Sequence, residues 1–156
     1  MVAPAYANDE PGAWFPESVL DKGFKATGAN TAIPKGNLTR FDDGTFTYAT
    51  AAAGAAVPGT FAVPTKATTD AEAGLEIVVK GPVTVRTATT LRRGMNVKPS
   101  ATAAGQVDEA SPDDAGAIGK FMGIGISNVR DGTGAPASVP AGTVVIIDLG
   151  FKVSGI

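Results

Sequence analysis

A strand-like segment is written twice in this chain. Residues 74–85 read GLEIVVKGPVTV, and residues 142–153 read GTVVIIDLGFKV. Glycine, a β-branched run and a closing apolar–polar–Val pattern recur at an offset of 68. Two further matches precede it in the same order. Ile33-Pro34-Lys35-Gly36 returns as Leu91-Arg92-Arg93-Gly94 at an offset of 58. Gly59-Thr60-Phe61-Ala62 returns as Gly119-Lys120-Phe121-Met122 at an offset of 60. Three collinear matches whose spacing only grows describe a duplicated unit with loop insertions, about 32–88 and 89–156. The largest insertion falls in SNVRDGTGAPASVPAG, residues 127–142.

The unit reads as β structure. Short alternating runs are separated by turn residues, with 20 Gly and 11 Pro in 156 residues. Asp43-Gly44 marks a hairpin. Pro64 marks a strand edge or end, because proline donates nothing to a ladder. Ser111-Pro112-Asp113-Asp114 opens a single turn that Gly116 stops. Hairpins alone are marginal in water, so two such units gain by facing each other over one core. The expected fold is therefore all-β: a small β-barrel or sandwich built from two duplicated units. Period two places Ile77, Val79, Val83 and Val85 inward from one copy, and Val145, Ile147, Phe151 and Val153 inward from the other.

Residues 1–31 differ. They carry Pro4, Pro11 and Pro16, the sole tryptophan Trp14, and Tyr6, Phe15 and Phe24. One helical turn is predicted at 16–22, with Pro16 first, Glu17 near its N-terminus and Gly23 closing it. The rest reads as an extended arm. Trp and Tyr are enriched at binding hot spots, so Tyr6, Trp14, Phe15, Val19, Leu20 and Phe24 are the candidate partner-binding residues. Such an arm docks on a neighbour as an added strand, or Trp14 and Phe15 plug the open end of their own barrel. Ala5-Tyr6-Ala7 has the form of a signal-peptidase site, but no apolar region long enough precedes it, and it is read as coincidence.

Composition narrows the chemistry. The chain contains neither Cys nor His, which removes disulfides, thiol nucleophiles, the usual zinc sites and imidazole acid–base catalysis. No metal or other cofactor is expected. The net charge is −2 and the sequence pI about 5.0. A nucleic-acid partner is disfavoured, because phosphate contacts need a basic face. Arg86, Arg92, Arg93 and Lys98 form only a loose patch, suited at most to an acidic protein surface. No apolar run approaches the ~20 residues that span a bilayer, so no membrane partner is expected.

Other motifs are weak. Gly123-Ile124-Gly125 lacks the third glycine of a dinucleotide loop, position 128 being Asn. The pairs Asp9-Glu10, Asp42-Asp43, Asp108-Glu109 and Asp113-Asp114 lie in polar turn contexts without the alternating order of a calcium loop. A hydrolase would need two such carboxylates about 5–10 Å apart across a cleft. A carbohydrate-binding sandwich would want exposed aromatics on a sheet face, and beyond residue 62 only Phe121 and Phe151 are present.

The stretches AIPKGNLTRF, TLRRGMNVKP, GKFMGIGISNV and VPAGTVVIIDLGFKVSG resemble small capsid decoration, or cement, proteins of tailed bacteriophages. The resemblance spans about residues 32–156 and rests on Gly and β-branched patterns. It implies a non-enzymatic virion protein on the outer capsid surface, bound to the major capsid protein and self-associated as a homotrimer. The alternative reading is an extracellular carbohydrate-binding β-sandwich module.

Overall fold

The computed structural model describes residues 10–26, 32–55, 59–68, 74–124 and 138–151. Those residues form twelve strands and no helix. The first half carries β1 (Val19–Asp21), β2 (Lys25–Ala26), the hairpin β3 (Thr39–Asp42) and β4 (Thr47–Thr50), then β5 (Phe61–Pro64) and the long β6 (Ile77–Arg86). The second half carries β7 (Leu91–Arg92), the hairpin β8 (Asn96–Pro99) and β9 (Val107–Ala110), then β10 (Gly119–Gly123), β11 (Ser138–Val139) and β12 (Val144–Leu149).

The two halves repeat one order of pairings. In the first, the leading strand of hairpin β3–β4 pairs with β5, which pairs with β6. In the second, the leading strand of hairpin β8–β9 pairs with β10, which pairs with β12. All these pairings are antiparallel, and β6 joins β12 antiparallel at the centre. The resulting ten-stranded sheet runs β2-β4-β3-β5-β6-β12-β10-β8-β9, with β1 added on β6. Register follows the sequence offsets at one checkpoint. Val63 pairs with Val78, and their counterparts at offsets of 60 and 68, Gly123 and Ile146, pair with each other. The segment before each hairpin is tied alike: Ile33 exchanges hydrogen bonds with Thr68, and Leu91 pairs with Val139.

One core serves both halves. Leu38, Phe61, Val63, Val78, Val83 and Val85 pack with Leu91, Val97, Phe121, Val139, Val145 and Ile147 in a single cluster. Fully burying a Val or Leu is worth roughly 1.5–3 kcal/mol. The sheet curls but does not close into a barrel. Its two hairpins meet through a loop instead: Leu38 N–H donates to Gly105 O (2.8 Å) and Gly105 N–H to Ala51 O (2.9 Å). The arrangement is sandwich-like.

Period two holds only in pieces. Opposite β1, Val19 pairs with Lys80 and Leu20 with Val78, so Val79 is an extra residue in β6. A β-bulge of this kind shifts the alternation by one. Ile77 accordingly packs in a second cluster with Tyr48, Ala62 and Leu75, whereas Val78, Val83 and Val85 enter the central one. Val79, expected inward, is only half-buried. Phe151, also expected inward, is 55% exposed. The strand ends at Leu149, and Gly150 takes φ 85°, which swings the next side chain off the face. Val153 lies outside the described residues.

The helical turn expected at 16–22 is absent. Ser18 N–H donates to Phe15 O (2.9 Å) and Phe15 N–H to Ser18 Oγ (2.9 Å), a closed turn around Pro16-Glu17 that leads straight into β1. Ladder bonds to β6 outbid a helix too short to be stable alone. The Asp43-Gly44 hairpin forms, but its left-handed residue is Phe46, at φ 56°. Pro64 ends β5.

Candidate binding surface

The N-terminal segment is stitched along β6 from residue 10. Gly12 N–H donates to Thr84 O (2.7 Å), Thr84 N–H to Ala13 O (3.0 Å) and Ala13 N–H to Thr84 Oγ1 (2.8 Å). The Thr84 hydroxyl donates onward to Glu10 O (2.9 Å). Thr84 is 2% exposed, so the centre of this small hub is buried. Gly36 explains how the segment comes so close. A Cβ there would lie 2.4 Å from Pro11 Cβ, and the backbone stands at φ 84°. Lys35 and Glu10 pair beside it. After the Pro16 turn the chain passes over Gly81, where a Cβ would meet Glu17 O at 2.9 Å. It then pairs as β1, and β2 joins β4 in parallel.

Of the six candidate residues, the five that are described are dispersed by this path. Tyr6 lies outside the described residues. Phe15 is 1% exposed and packs with Ala13 and Ile146 on the outer face of β12, which takes its ring out of a partner's reach. Leu20 is half-buried against the central cluster. Phe24 is half-buried in an aromatic nest, its ring 5.3 Å from those of Phe41 and Tyr48. Only Trp14, bridged to Val83 yet 37% exposed, and Val19, 49% exposed, present their side chains outward. With no closed barrel there is no end to plug: Phe15 covers the outer face of β12 and Trp14 faces outward.

Beside Val19 a cleft of about 500 Å³ opens between the arm and the sheet. Phe15, Pro82, Met122 and Ile146 give it an apolar floor and walls, and Val19 and Phe151 stand at its mouth. Glu17, Lys80 and Asp148 also line it. Burial pushes the Asp148 carboxyl up from its ordinary value, against the pull of Lys120 and Lys80. The cleft was hidden from sequence reasoning. Its floor needs the arm folded over β12, and Phe151 faces it only because Gly150 breaks the strand.

A second exposed feature is Phe46, at the tip of the β3–β4 hairpin, 70% exposed. Its ring rests edge-on against Phe41, 6.0 Å away. The Asp-Gly dipeptide announced the turn, but not that a bulky residue would take the left-handed position.

Three members of the basic patch are engaged within the fold, two of them in ion pairs. Arg92 grips Glu109 (2.7 Å), Lys98 reaches Asp114 (3.0 Å) and Arg86 donates to Gly142 O (2.7 Å). The guanidinium of Arg92 holds the Glu109 carboxyl below its usual range. Asp108 is buried; its Oδ2 accepts from Ala101 N–H (2.9 Å), while its Oδ1 has no hydrogen-bond partner. Among the described residues no three acidic side chains converge as a metal-binding group.

No family model matches the chain, and no curated protein or solved structure is significantly similar to it.

Proposed function

We propose that this chain is a virion structural protein that binds the outer surface of a tailed-phage capsid and reinforces it by bridging neighbouring capsid subunits. The observation that carries the reading is Trp14, an aromatic side chain 37% exposed on a segment locked to the body by the Thr84 hub. A rigid aromatic of this kind loses little entropy on docking and is the residue type found at hot spots. The resemblance of residues 32–156 to decoration proteins supplies the partner, the major capsid protein, and the trimer. The net charge of −2 suits an outer face better than a DNA-filled interior.

The work in this reading is mechanical. Each copy spans two shell subunits, so separating them must also break its contacts. A standard-size interface of roughly 1,600 Å² suffices for specific binding. Copies linked in one oligomer gain avidity, because later contacts form intramolecularly.

The test is co-sedimentation with undecorated shells of the major capsid protein from the same genome. Saturable pelleting is expected, and Trp14→Ala should weaken it by about 2 kcal/mol or more. Protein that stays in the supernatant at saturating shell concentration rejects the reading. Glycan-array binding in its place would install the carbohydrate-binding module.

A further inference from the structure

We propose that Met122 is a reversible oxidation site, and that its conversion to the sulfoxide loosens the N-terminal segment from β12. Sulfur redox chemistry in this chain falls to its three methionines, because Cys is absent. Met1 lies outside the described residues. Met95 and Met122 are both half-buried, but their surroundings differ. Met95 belongs to none of the three apolar clusters. Met122 packs on Ala13, Phe15 and Ile146, the cluster that seats the arm on the outer face of β12. The strands also aim it there. β10 pairs Phe121 with Ile147 and Gly123 with Ile146, so Met122 is the extra residue of a β-bulge, a device that re-aims a side chain.

The thioether is within reach of a small oxidant. Met122 forms part of the wall of the cleft of about 500 Å³. A water molecule's share of liquid volume is about 30 Å³, and hydrogen peroxide is little larger, so the cleft admits it. The step is a two-electron oxygen transfer. The sulfur lone pair attacks one peroxide oxygen, and the S–O bond forms as the O–O bond breaks. The departing hydroxide takes the proton from the transferred oxygen and leaves as water. Sulfur is oxidised and the peroxide reduced. A thiol-dependent methionine sulfoxide reductase reverses the step: its thiols supply two electrons and two protons, and the oxygen leaves as water.

Oxidation changes what that wall can hold. A thioether is apolar and adapts to its neighbours, whereas the sulfoxide oxygen needs a hydrogen-bond donor. Ala13, Phe15 and Ile146 carry no donor on their side chains. The N–H groups of Ala13 and Phe15 are already committed, to Thr84 Oγ1 (2.8 Å) and Ser18 Oγ (2.9 Å). A polar group held there without a partner costs free energy, and moving Phe15 away relieves it. Phe15 is two residues from Ala13, which is tied to Thr84 through both its N–H and its carbonyl. Strain at Phe15 is therefore felt at the Thr84 hub. Trp14 lies between the two, so the state of the Met122 sulfur governs how firmly that exposed ring is held. The site is independent of the decoration reading, and it is measured without shells.

The experiment treats the folded full chain with hydrogen peroxide, locates the added oxygen by peptide mass mapping and follows amide hydrogen exchange at Gly12, Ala13 and Thr84. Met122 should take up one oxygen while the far-ultraviolet circular dichroism spectrum stays unchanged. Exchange at the three amides should then accelerate by about tenfold or more. Reductase treatment should restore slow exchange. Met122→Leu, a swap that conserves volume and cannot be oxidised, should keep slow exchange through the same treatment, whereas Met95→Leu should lose it as wild type does. The proposal is overturned if Met122 stays unoxidised in the folded protein at peroxide concentrations that oxidise the urea-unfolded chain. It is equally overturned if the Met122 sulfoxide leaves exchange unchanged, or if Met122→Leu loses protection to the same extent as wild type.

Discussion

Phe46 isolates backbone strain from side-chain contact. The left-handed region costs an L-residue roughly 1–2 kcal/mol. Phe46→Ala keeps that strain and loses the ring contact with Phe41, whereas Phe46→Gly loses both. Phe46→Gly should therefore be more stable than Phe46→Ala by about 1 kcal/mol in urea unfolding. Equal stabilities would contradict the left-handed turn. Glu109 supports a pH test. Hydrogen bonds from Arg92 hold its carboxyl below the usual range, so its contribution is complete above the ordinary Glu value, about 4.3, and is lost as pH falls through the lower folded value. Glu76, lowered first by Thr65, acts in the same direction; Asp148, raised by burial, acts in the opposite one. The stability gap between wild type and Glu109→Gln should be widest at pH 7 and close toward pH 3 in denaturant titrations. A gap independent of pH would remove Arg92–Glu109 from the account.

The arm behaves as an element of the fold. Thr84 satisfies Ala13 N–H and Glu10 O through a single hydroxyl. Thr84→Val preserves shape and strips both bonds, leaving the buried Ala13 N–H without its hydroxyl acceptor at a cost of about 1–3 kcal/mol. Released residues 10–26 should then be cut faster by trypsin at the exposed Lys22 and Lys25. Cleavage at the wild-type rate would show that Thr84 does not hold them. Sequence reasoning set residues 1–31 apart as an arm because they lack a sustained period. It could not see that Phe15 and Ala26 are 1% exposed, since Ala26 is covered by Tyr48 of β4 and Phe15 by Ile146 of β12, contacts that local sequence does not reveal. The strands themselves were more legible. The Asp43-Gly44 signal located the first hairpin, and the offsets located β6 and β12, but nothing announced the turn between β8 and β9. Alternation failed where a backbone irregularity intervened: the bulge at Val79 and the left-handed Gly150. It also failed at β12, whose run Val144-Val145-Ile146-Ile147 is buried on both faces. A continuous apolar run is the mark of a strand covered on both sides, and here the covering layer is the arm.

At the scale of the whole molecule, both halves contribute to one interior and the N-terminal segment covers its back. Removing residues 10–26 would thus strip core side chains, not trim a free tail. Trp14 makes this testable, because the only tryptophan sits on that segment. Its fluorescence reports the arm, and far-ultraviolet circular dichroism reports the sheet. Urea titration followed by both signals is the most direct measurement of whether two β units and their arm form a single cooperative body. Superimposable transitions with one midpoint are expected. A fluorescence transition complete before the circular dichroism begins to change would contradict it.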